Sequence, residues 1–333
     1  MALLDYRDMV PRMSSTMRAF AATRIGPIED CRIVEMPLPE PGPGQVRVRV
    51  MSAALNPADA KTILGKTAML HAKVFPLVMG YDVSGVVDAL GPGVMDLAVG
   101  TQVFGMLAYS RRTRLGSLAE YTVLPAHGLA EKPATIDHDT AAAVATVGLT
   151  ALQGLRGPGR MRSHDRVLVT GASGGVGALV LGVARFLGGS ADAITSAAGI
   201  DLVKSLGAGT VVDRNTPDLF AGLKERYQIV YDAAAAYSMR RFRKALGKGG
   251  TYITTLPKPT IVGDLLASLF VGRRIRLVMV KPSRDDLATL AEFIQGGLQV
   301  PIASKVRFED TGPALADYDK HGAKGKVVIK IAD

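Results

Sequence analysis

The sequence predicts an α/β protein in which a doubly wound, six-stranded parallel sheet is joined to an antiparallel, barrel-like β domain. Three observations support this prediction. Short apolar strands alternate with helical segments after about Ala141, a glycine-rich turn joins the first of these strands to a helix, and short strands punctuated by Gly and Pro precede Leu129. With 333 residues and 48% hydrophobic content, the chain is long enough to bury a core in each of two domains.

The two predicted domains differ in the spacing of their strands. The first begins with "MRAFAAT" (Met17–Thr23) and continues through "QVRVRVMSAAL", "GYDVSGVVDALGPGV", "GTQVFGML" and "GSLAEYTVL". The parallel strands are predicted at Arg166–Thr170, Ala191–Thr195, Thr210–Val212, Gln228–Asp232, Thr251–Thr255 and Arg276–Val280. We expect the tail from Val300 to pack back on the first domain. The predicted ranges are 1–136 for the first part of the barrel-like domain, 137–282 for the domain with the parallel sheet and 283–333 for the return to the barrel-like domain.

Charge and cysteine content exclude several classes of protein. The formal net charge is +10, but the basic residues are mostly scattered, and 5% aromatic residues with no Trp offer few stacking platforms, so nucleic-acid binding is disfavoured. A single cysteine, Cys31, excludes an internal disulfide and a four-cysteine zinc site and fits a cytoplasmic location. The most apolar stretch, Ile261–Gly272, has 12 residues and contains Asp264, so we expect a buried helix and no membrane span.

The segment "RVLVTGASGGVGALVLGVARFLG" has the strand, tight turn and helix that a dinucleotide-binding site requires. A glycine at 174 lets a pyrophosphate approach the backbone, one at 177 lets helix and strand pack closely, and the helix N-terminus supplies N–H donors. A tight turn without a ligand is the alternative interpretation. The predicted cofactor-binding residues of this turn are Gly171, Ala172, Ser173, Gly174, Gly175, Val176 and Gly177.

The end of the second parallel strand distinguishes the two nicotinamide dinucleotides. An Asp or Glu there would bind the ribose 2′-hydroxyl of NADH and repel a 2′-phosphate, but the sequence is "ADAITSAAG". We therefore predict NADPH, with Ser196 donating to the phosphate. No Lys or Arg occupies 197–200, so Arg214, after the third strand, is the candidate cation, with Lys204 as its competitor. Either residue alone could equally be a solvated surface charge.

Several separated motifs now agree in order and spacing: "LNPADAK", "GYDVSGVV", "GSLAEYTV", "AAAVATVGLTAL", "GASGGVG" and "HGAKGKVVI". In this the chain resembles the medium-chain dehydrogenase/reductase superfamily, and within it the zinc-independent quinone oxidoreductase branch related to zeta-crystallin. The resemblance implies a Rossmann domain beside a GroES-like catalytic domain. It also implies a homodimer, in which the sheet edge near Arg274 to Val280 pairs across the interface.

The same resemblance implies a hydride transfer without a metal. The positions that hold the catalytic zinc ligands of the alcohol dehydrogenases carry Asn56, Tyr81 and Thr146 here, and such neutral groups do not make a tight zinc site. A conjugated acceptor can take a hydride without a Lewis acid because its charge spreads onto a distant oxygen. The expected reaction is transfer from NADPH to a quinone or an α,β-unsaturated carbonyl, followed by protonation.

The predicted catalytic residues are Asn56, Lys61 and Tyr81. Asn56 could instead cap the helix that begins at Pro57, and Lys61 could lie on a solvated face. Several family members carry a tyrosine near the position of Lys61 or in the stretch that follows it, whereas "KTILGKTAML" contains none, so Lys61 or solvent is the expected proton donor. Thr150 resembles a threonine that packs near the nicotinamide, with a helix-interior role as the alternative.

Two other functions stay open. An enoyl-thioester reductase would use the basic residues of "SRRTR" (Ser110–Arg114) to dock an acidic acyl carrier or a CoA phosphate. A non-catalytic NADPH-binding protein would use its basic surface for nucleic acid or an anionic membrane. The five histidines show no metal-ligand spacing, and "GASGG" lacks the spacing of a nucleophile elbow, so a metal site and a hydrolase are disfavoured.

Overall fold

The computed structural model describes residues 15–66, 75–110, 113, 115–220, 223, 226–255 and 272–332. These residues form two units of structure. The first contains a three-stranded and a seven-stranded sheet, and the second contains a six-stranded sheet. Among the described helices, none is long and apolar enough to span a bilayer. The apolar stretch 261–271 and the arginines at 111, 112 and 114 fall outside the described residues, so the interpretations placed on them stay predictions.

The first unit is formed by antiparallel strands and one short helix. Its strands are β1 (Thr16–Ala22), β2 (Arg32–Pro37), β3 (Gln45–Ala54), β4 (Leu77–Val78), β5 (Asp82–Leu90), β6 (Gln102–Met106), β7 (Tyr121–Pro125) and β8 (Leu129–Glu131). Helix α1 (Pro57–Ile63) follows β3. Along β3 the residues Val46, Val48 and Val50 are fully buried while Arg47 and Arg49 alternate with them, which is the period-two pattern that the sequence predicted.

The second unit contains the parallel sheet. Its elements are α2 (His138–Arg156), β9 (Arg166–Thr170), α3 (Gly175–Phe186), β10 (Ser190–Thr195), α4 (Ile200–Ser205), β11 (Val211–Asp213), β12 (Tyr227–Asp232), β13 (Leu246–Thr254) and β14 (Arg274–Leu277). The strand order is β11-β10-β9-β12-β13-β14, and every pairing is parallel. The order reverses between β9 and β12, and this switch point forms the crevice in which such sheets bind ligands.

Two predicted strands have different bounds in the structure. β13 begins at Leu246 rather than at 251, because a register shift against β12 extends it through a glycine-rich stretch. The last strand is Arg274–Leu277 rather than 276–280, since Ile275 is the residue that pairs with Tyr252 and is buried. The apolar residues after Leu277 leave the sheet, and Met279 is exposed. The number and direction of the six strands are confirmed.

The C-terminal segment returns to the first unit. It contains α5 (Arg284–Gln295), β15 (Ile302–Arg307), α6 (Thr311–His321) and β16 (Lys326–Lys330). Strand β16 pairs antiparallel with β3 and parallel with β15, so the seven-stranded sheet is built from both ends of the chain. This return carries Lys326 to the end of β3 that leads into α1.

Helix α2 lies between the two units. It is buried along nearly its whole length and packs against α3 of the second unit and against β3 and β5 of the first. Its Asp137 side chain accepts a hydrogen bond from the backbone N–H of Thr140, which fixes the start of the helix. Residues on α2 therefore face both units.

Candidate functional site

The turn after β9 has the shape of a phosphate-binding loop. Gly171 has a φ of 63°, and a Cβ at Gly177 would lie 2.3 Å from the Gly171 carbonyl oxygen, so both positions require glycine. At Gly174 a Cβ would meet only that same oxygen, at 3.4 Å, which leaves this side of the turn open. Because Gly174 is the N-cap of α3, the first N–H groups of the helix lie at the opening.

The remaining residues of the turn hold it in place. Ala172 is fully buried, while Ser173, Gly175 and Val176 are partly exposed. The Ser173 hydroxyl accepts a hydrogen bond from Thr195 at 2.8 Å, which ties the turn to the end of β10. The turn therefore fits a dinucleotide pyrophosphate in its backbone conformation and in its open face.

Ser196 and Arg214 lie at neighbouring strand ends. Thr195 of β10 pairs with Asp213 of β11, and the backbone N–H of Arg214 donates to the Thr195 carbonyl at 2.7 Å. Ser196 is partly buried and Arg214 is exposed. The structure thus brings together the two residues that the sequence analysis selected separately for the adenosine end. Lys204 is exposed on α4.

A buried charged network lies where α1, β5 and β16 meet. Lys326 is 1% exposed and Asp82 is 0% exposed, and their Nζ and Oδ2 atoms are 2.8 Å apart. Lys326 also donates to the Leu55 carbonyl at 2.7 Å and to Asn56 Oδ1 at 2.8 Å, so each of its three N–H groups has an acceptor. All three hydrogen-bond donors of the ammonium group are therefore satisfied by residues of the first unit.

Asp82 connects the positions that a zinc dehydrogenase would use as ligands. Its Oδ2 accepts from Asn56 Nδ2 at 2.8 Å, and its Oδ1 accepts from the backbone N–H of Thr146, on α2, at 2.7 Å. The adjacent Tyr81 is buried and hydrogen-bonds with Thr62. Asn56 and Thr146 thus meet at one carboxylate although they are 90 positions apart in the sequence, and Tyr81 directly precedes that aspartate.

These residues do not suit a zinc ion. An amide, a phenol and an alcohol are the side chains present, and burial raises the pKa of Tyr81, so its hydroxyl stays protonated. The ammonium group of Lys326 already uses Asp82 and Asn56 as hydrogen-bond acceptors, so neither side chain is free to bind a metal. Among the described residues, no group of three or more His, Cys, Asp or Glu could hold a metal.

Asp59 fixes the start of α1. Its Oδ2 accepts from the backbone N–H of Asn56 at 2.7 Å, and its Oδ1 accepts from the N–H of Gly80 at 3.0 Å. Burial raises the pKa of Asp59 to about 7, against the opposing effect of these hydrogen bonds and of Lys326. Asn56 is the N-cap residue, as one interpretation of the sequence proposed, but its amide is committed to Asp82, Lys326 and the Ala54 carbonyl.

The other predicted residues have plainer surroundings. Lys61 is partly buried in the last turn of α1. Thr150 is buried and donates its hydroxyl to the Thr146 carbonyl at 2.7 Å, which is the hydrogen bond of a helix-interior threonine. In contrast, Thr146 Oγ1 is buried without a partner among the described residues. An unpartnered hydroxyl at this position is available to a ligand.

The C-terminal segment reaches the glycine turn as well. The backbone N–H of Gly325 donates to the Ser173 carbonyl at 2.9 Å, and Gly174 and Gly325 form an isolated parallel bridge. A Cβ at Gly175 would lie 3.1 Å from Lys326 Cδ. One short segment therefore contacts both the phosphate-binding turn and the buried network. Lys326 and Asp82 were not predicted as site residues, although the motifs "GKVVI" and "GYD" that contain them were recognised.

Exposed cations lie in and just before strands β13 and β14. The side chain of Arg273 donates to the Leu246 carbonyl at 3.0 Å, which brings the segment before β14 against the start of β13. The exposed cations are Arg240, Arg241, Arg243, Lys244, Lys248, Arg274 and Arg276. We call these cations, which lie in or just before the two strands, the β13–β14 basic surface.

Comparison with known proteins identifies relatives over nearly the whole chain. Residues 42–134 match the alcohol dehydrogenase GroES-like domain, and residues 206–329 match a zinc-binding dehydrogenase domain. A 2-methylene-furan-3-one reductase of Solanum lycopersicum is 32% identical over 324 residues, which cover 95% of this chain and 79% of the relative. An NADPH-dependent alkenal/one oxidoreductase of Arabidopsis thaliana is 31% identical, with 94% and 79% covered.

The fold has a counterpart among solved structures. The quinone oxidoreductase from Coxiella burnetii superposes with a TM-score of 0.87 at 24% identity, over 96% of this chain and 100% of that one. Together with the strand order of the parallel sheet, this similarity confirms an α/β fold with a GroES-like domain and a six-stranded Rossmann domain.

Proposed function

Because the chain belongs to the medium-chain dehydrogenase/reductase superfamily and is an oxidoreductase that uses a nicotinamide cofactor, we propose that it reduces quinones or α,β-unsaturated carbonyl compounds with NADPH and without a metal. The observation that carries this proposal is the buried network of Lys326, Asp82 and Asn56. It includes Asn56, one of the three positions that the resemblance matches to the zinc ligands of alcohol dehydrogenases.

The network favours a conjugated acceptor. The positive charge of Lys326 is neutralised by Asp82, and all three of its N–H donors are used. The network therefore offers no Lewis acid that could activate an isolated carbonyl. A hydride accepted at the β-carbon of an enone, or by a quinone, needs less stabilisation because the negative charge is delocalised. In this proposal Asn56 and Tyr81 shape the site, and Lys61 orients the acceptor or meets its developing charge.

The proposed cofactor is NADPH. The end of β10 carries Thr195 and Ser196 instead of a carboxylate, and Arg214 lies beside it on the next strand end. We assign the pyrophosphate to the turn from Gly171 to Gly177 and the 2′-phosphate to Ser196 and Arg214. Thr150 and the unpartnered hydroxyl of Thr146 are assigned to the nicotinamide end of the cleft.

The proposed assembly is a homodimer. β14 is the outer strand of the described sheet, so its free edge is available to a second copy. The dimer, the cytoplasmic location and the boundaries 1–136, 137–282 and 283–333 stay predictions from the sequence.

The experiment that tests this function is oxidation of NADPH and NADH by the purified, chelator-treated protein. The acceptors are a panel of quinones, cyclic enones, alkenals and an enoyl-CoA, followed by absorbance. Gly177→Ala is the matched control, because its new Cβ would clash with the Gly171 carbonyl and block the cofactor turn.

We expect turnover with quinones or enones, a preference for NADPH, and no turnover in the control. Turnover confined to enoyl-CoA would replace the proposal with the enoyl-thioester reductase. Tight NADPH binding without any turnover would favour a binding protein, and the β13–β14 basic surface would then be tested with RNA and anionic vesicles at several salt concentrations.

A further inference from the structure

Tyr109 lies on the loop that follows β6, directly beside the buried network. The backbone N–H of Leu107 donates to the Tyr81 carbonyl at 2.8 Å, so the loop leaves β6 along the segment that precedes β5. The rings of Tyr109 and Tyr81 are 4.3 Å apart between centroids and inclined at 53°. Tyr109 thus covers the residue at the former zinc-ligand position.

The ring also lies at the junction of the two units. One large hydrophobic cluster is built mainly on α2, α3 and β9, and the other on β3 and β5. Among the partly buried hydrophobic side chains that the structure describes, Tyr109 is the one that packs against both clusters. Such a junction is where an acceptor must enter to reach a nicotinamide bound on the parallel sheet.

The hydroxyl of Tyr109 has no hydrogen-bond partner among the described residues. The buried tyrosines differ, because each has a hydrogen-bond partner in the protein. The hydroxyls of Tyr227, Tyr231 and Tyr252 donate to Asp192, the Thr150 carbonyl and Asp232, and that of Tyr81 is hydrogen-bonded with Thr62. A phenol without a partner at the junction of the two units can donate a hydrogen bond to a ligand bound there.

The surroundings keep this phenol protonated. Burial, together with the carboxylates of Asp82 and Asp59, holds the pKa of Tyr109 well above its ordinary value. At neutral pH the group is therefore a hydrogen-bond donor, as the stabilisation of a developing oxyanion requires.

We propose that Tyr109 is a catalytic residue whose hydroxyl donates a hydrogen bond, and then its proton, to the carbonyl oxygen of the acceptor. This inference rests on the proposed function. It supplies the tyrosine that the stretch after Lys61 lacks, from a different loop of the same unit.

The step is balanced as follows for an enone. NADPH would supply the hydride by breaking its C4–H bond, which oxidises it to NADP+. The hydride forms a C–H bond at the β-carbon, the C=C electron pair moves to join the α-carbon to the carbonyl carbon, and the C=O π pair moves onto oxygen. The O–H bond of Tyr109 breaks as a new O–H bond forms on the enolate oxygen. The resulting enol tautomerises to the ketone in solution, and the tyrosinate takes a proton from water.

The test is Tyr109→Phe, which keeps the ring and removes the donor. Tyr121→Phe is the matched control, since Tyr121 is a partly buried tyrosine of β7 whose hydroxyl also has no described partner. We expect Tyr109→Phe to lower kcat for a cyclic enone about a hundredfold, with the NADPH Kd unchanged. The loss for a benzoquinone should be smaller, because a hydroquinone anion is a weaker base than an enolate. The control should match the wild type.

Equal rates for Tyr109→Phe and wild type on the enone would overturn the inference, as would a change confined to KM. A wild type without turnover on any acceptor would instead refute the proposed function, and this inference with it. If Tyr109→Phe does not fold, the donor role is tested by comparing Tyr109→His with Tyr109→Leu. Tyr109→His retains a donor and should keep more enone turnover than Tyr109→Leu, and equal rates for those two would count against a donor role.

Discussion

Lys326 and Asp82 form a fully buried ion pair across 244 positions of sequence, with 2.8 Å between Nζ and Oδ2. The pair joins the last strand of the protein to the start of β5, and its remaining hydrogen bonds reach α1 and α2. A buried pair is tolerated when every donor and acceptor is matched, as it is here, and it becomes costly when one partner is removed.

Lys326→Met should therefore be strongly destabilising, since it leaves the Asp82 carboxylate buried without a counter-charge. We expect a loss of about 3–5 kcal/mol in the free energy of unfolding, measured by urea denaturation. Lys330→Met is the control, because that lysine lies on the same strand with 37% of its side chain exposed. Adding Asp82→Asn to Lys326→Met should recover part of the loss. A cost no greater than that of the control would show that the pair does not stabilise the site.

Asp59 should make stability depend on pH. Its pKa is about 7 in the folded protein against an ordinary value of 3.8, so between these limits the folded state holds a proton that the unfolded state has released. The free energy of unfolding should fall as pH rises from about 4 to 7, by up to about 1.4 kcal/mol for each unit of pKa difference. Asp59→Asn should flatten this slope in urea titrations, although it also loses one accepted hydrogen bond. Parallel slopes in the two proteins would contradict the assignment.

Arg214→Ala should weaken NADPH binding selectively. Loss of a charge-assisted hydrogen bond of about 1.5–3 kcal/mol corresponds to roughly a tenfold to hundredfold increase in the NADPH Kd, with the NADH Kd unchanged. Cofactor fluorescence titration measures both constants. Lys204→Ala, at the exposed competitor on α4, serves as the control. If Lys204→Ala raises the NADPH Kd and Arg214→Ala leaves it unchanged, Lys204 is the ligand of the 2′-phosphate.

Lys61→Ala should lower kcat with enones about a hundredfold if the ammonium group meets the developing negative charge. The NADPH Kd should not change, because Lys61 lies on α1 and not on the glycine turn. Lys66→Ala, an exposed lysine just after the same helix, provides the comparison. Unaltered turnover in Lys61→Ala would support the alternative interpretation, in which Lys61 lies on a solvated face and has no catalytic role.

Local patterns predicted most of the fold but not the network at its centre. Alternation of apolar residues and one glycine turn placed β9, β10 and β12 to within a residue, because strands and tight turns are set by short-range chemistry. Asn56, Tyr81 and Thr146 were selected by resemblance, and the structure brings Asn56 and Thr146 together at Asp82. Lys326 was missed because its partners are distant in sequence, and a lysine beginning "KVVIK" has the pattern of an exposed strand end.

Tyr109 was missed for a different reason. It follows a strand on a loop whose path depends on tertiary contacts with Tyr81 and with both hydrophobic clusters. No periodicity in "GMLAYSRRTRLG" indicates which side chain turns towards the cleft.

During synthesis the ribosome delivers Asn56, Asp82 and Thr146 well before Lys326. At 5–20 residues per second, the 180 positions between Thr146 and Lys326 correspond to roughly ten seconds or more. In that interval the carboxylate of Asp82 has no counter-charge at the centre of the nascent first unit. We therefore expect this part of the unit to stay hydrated and open until β16 docks against β3. A product cut short before β16 would keep this wet, charged gap, and it would remain a substrate for chaperones and proteases.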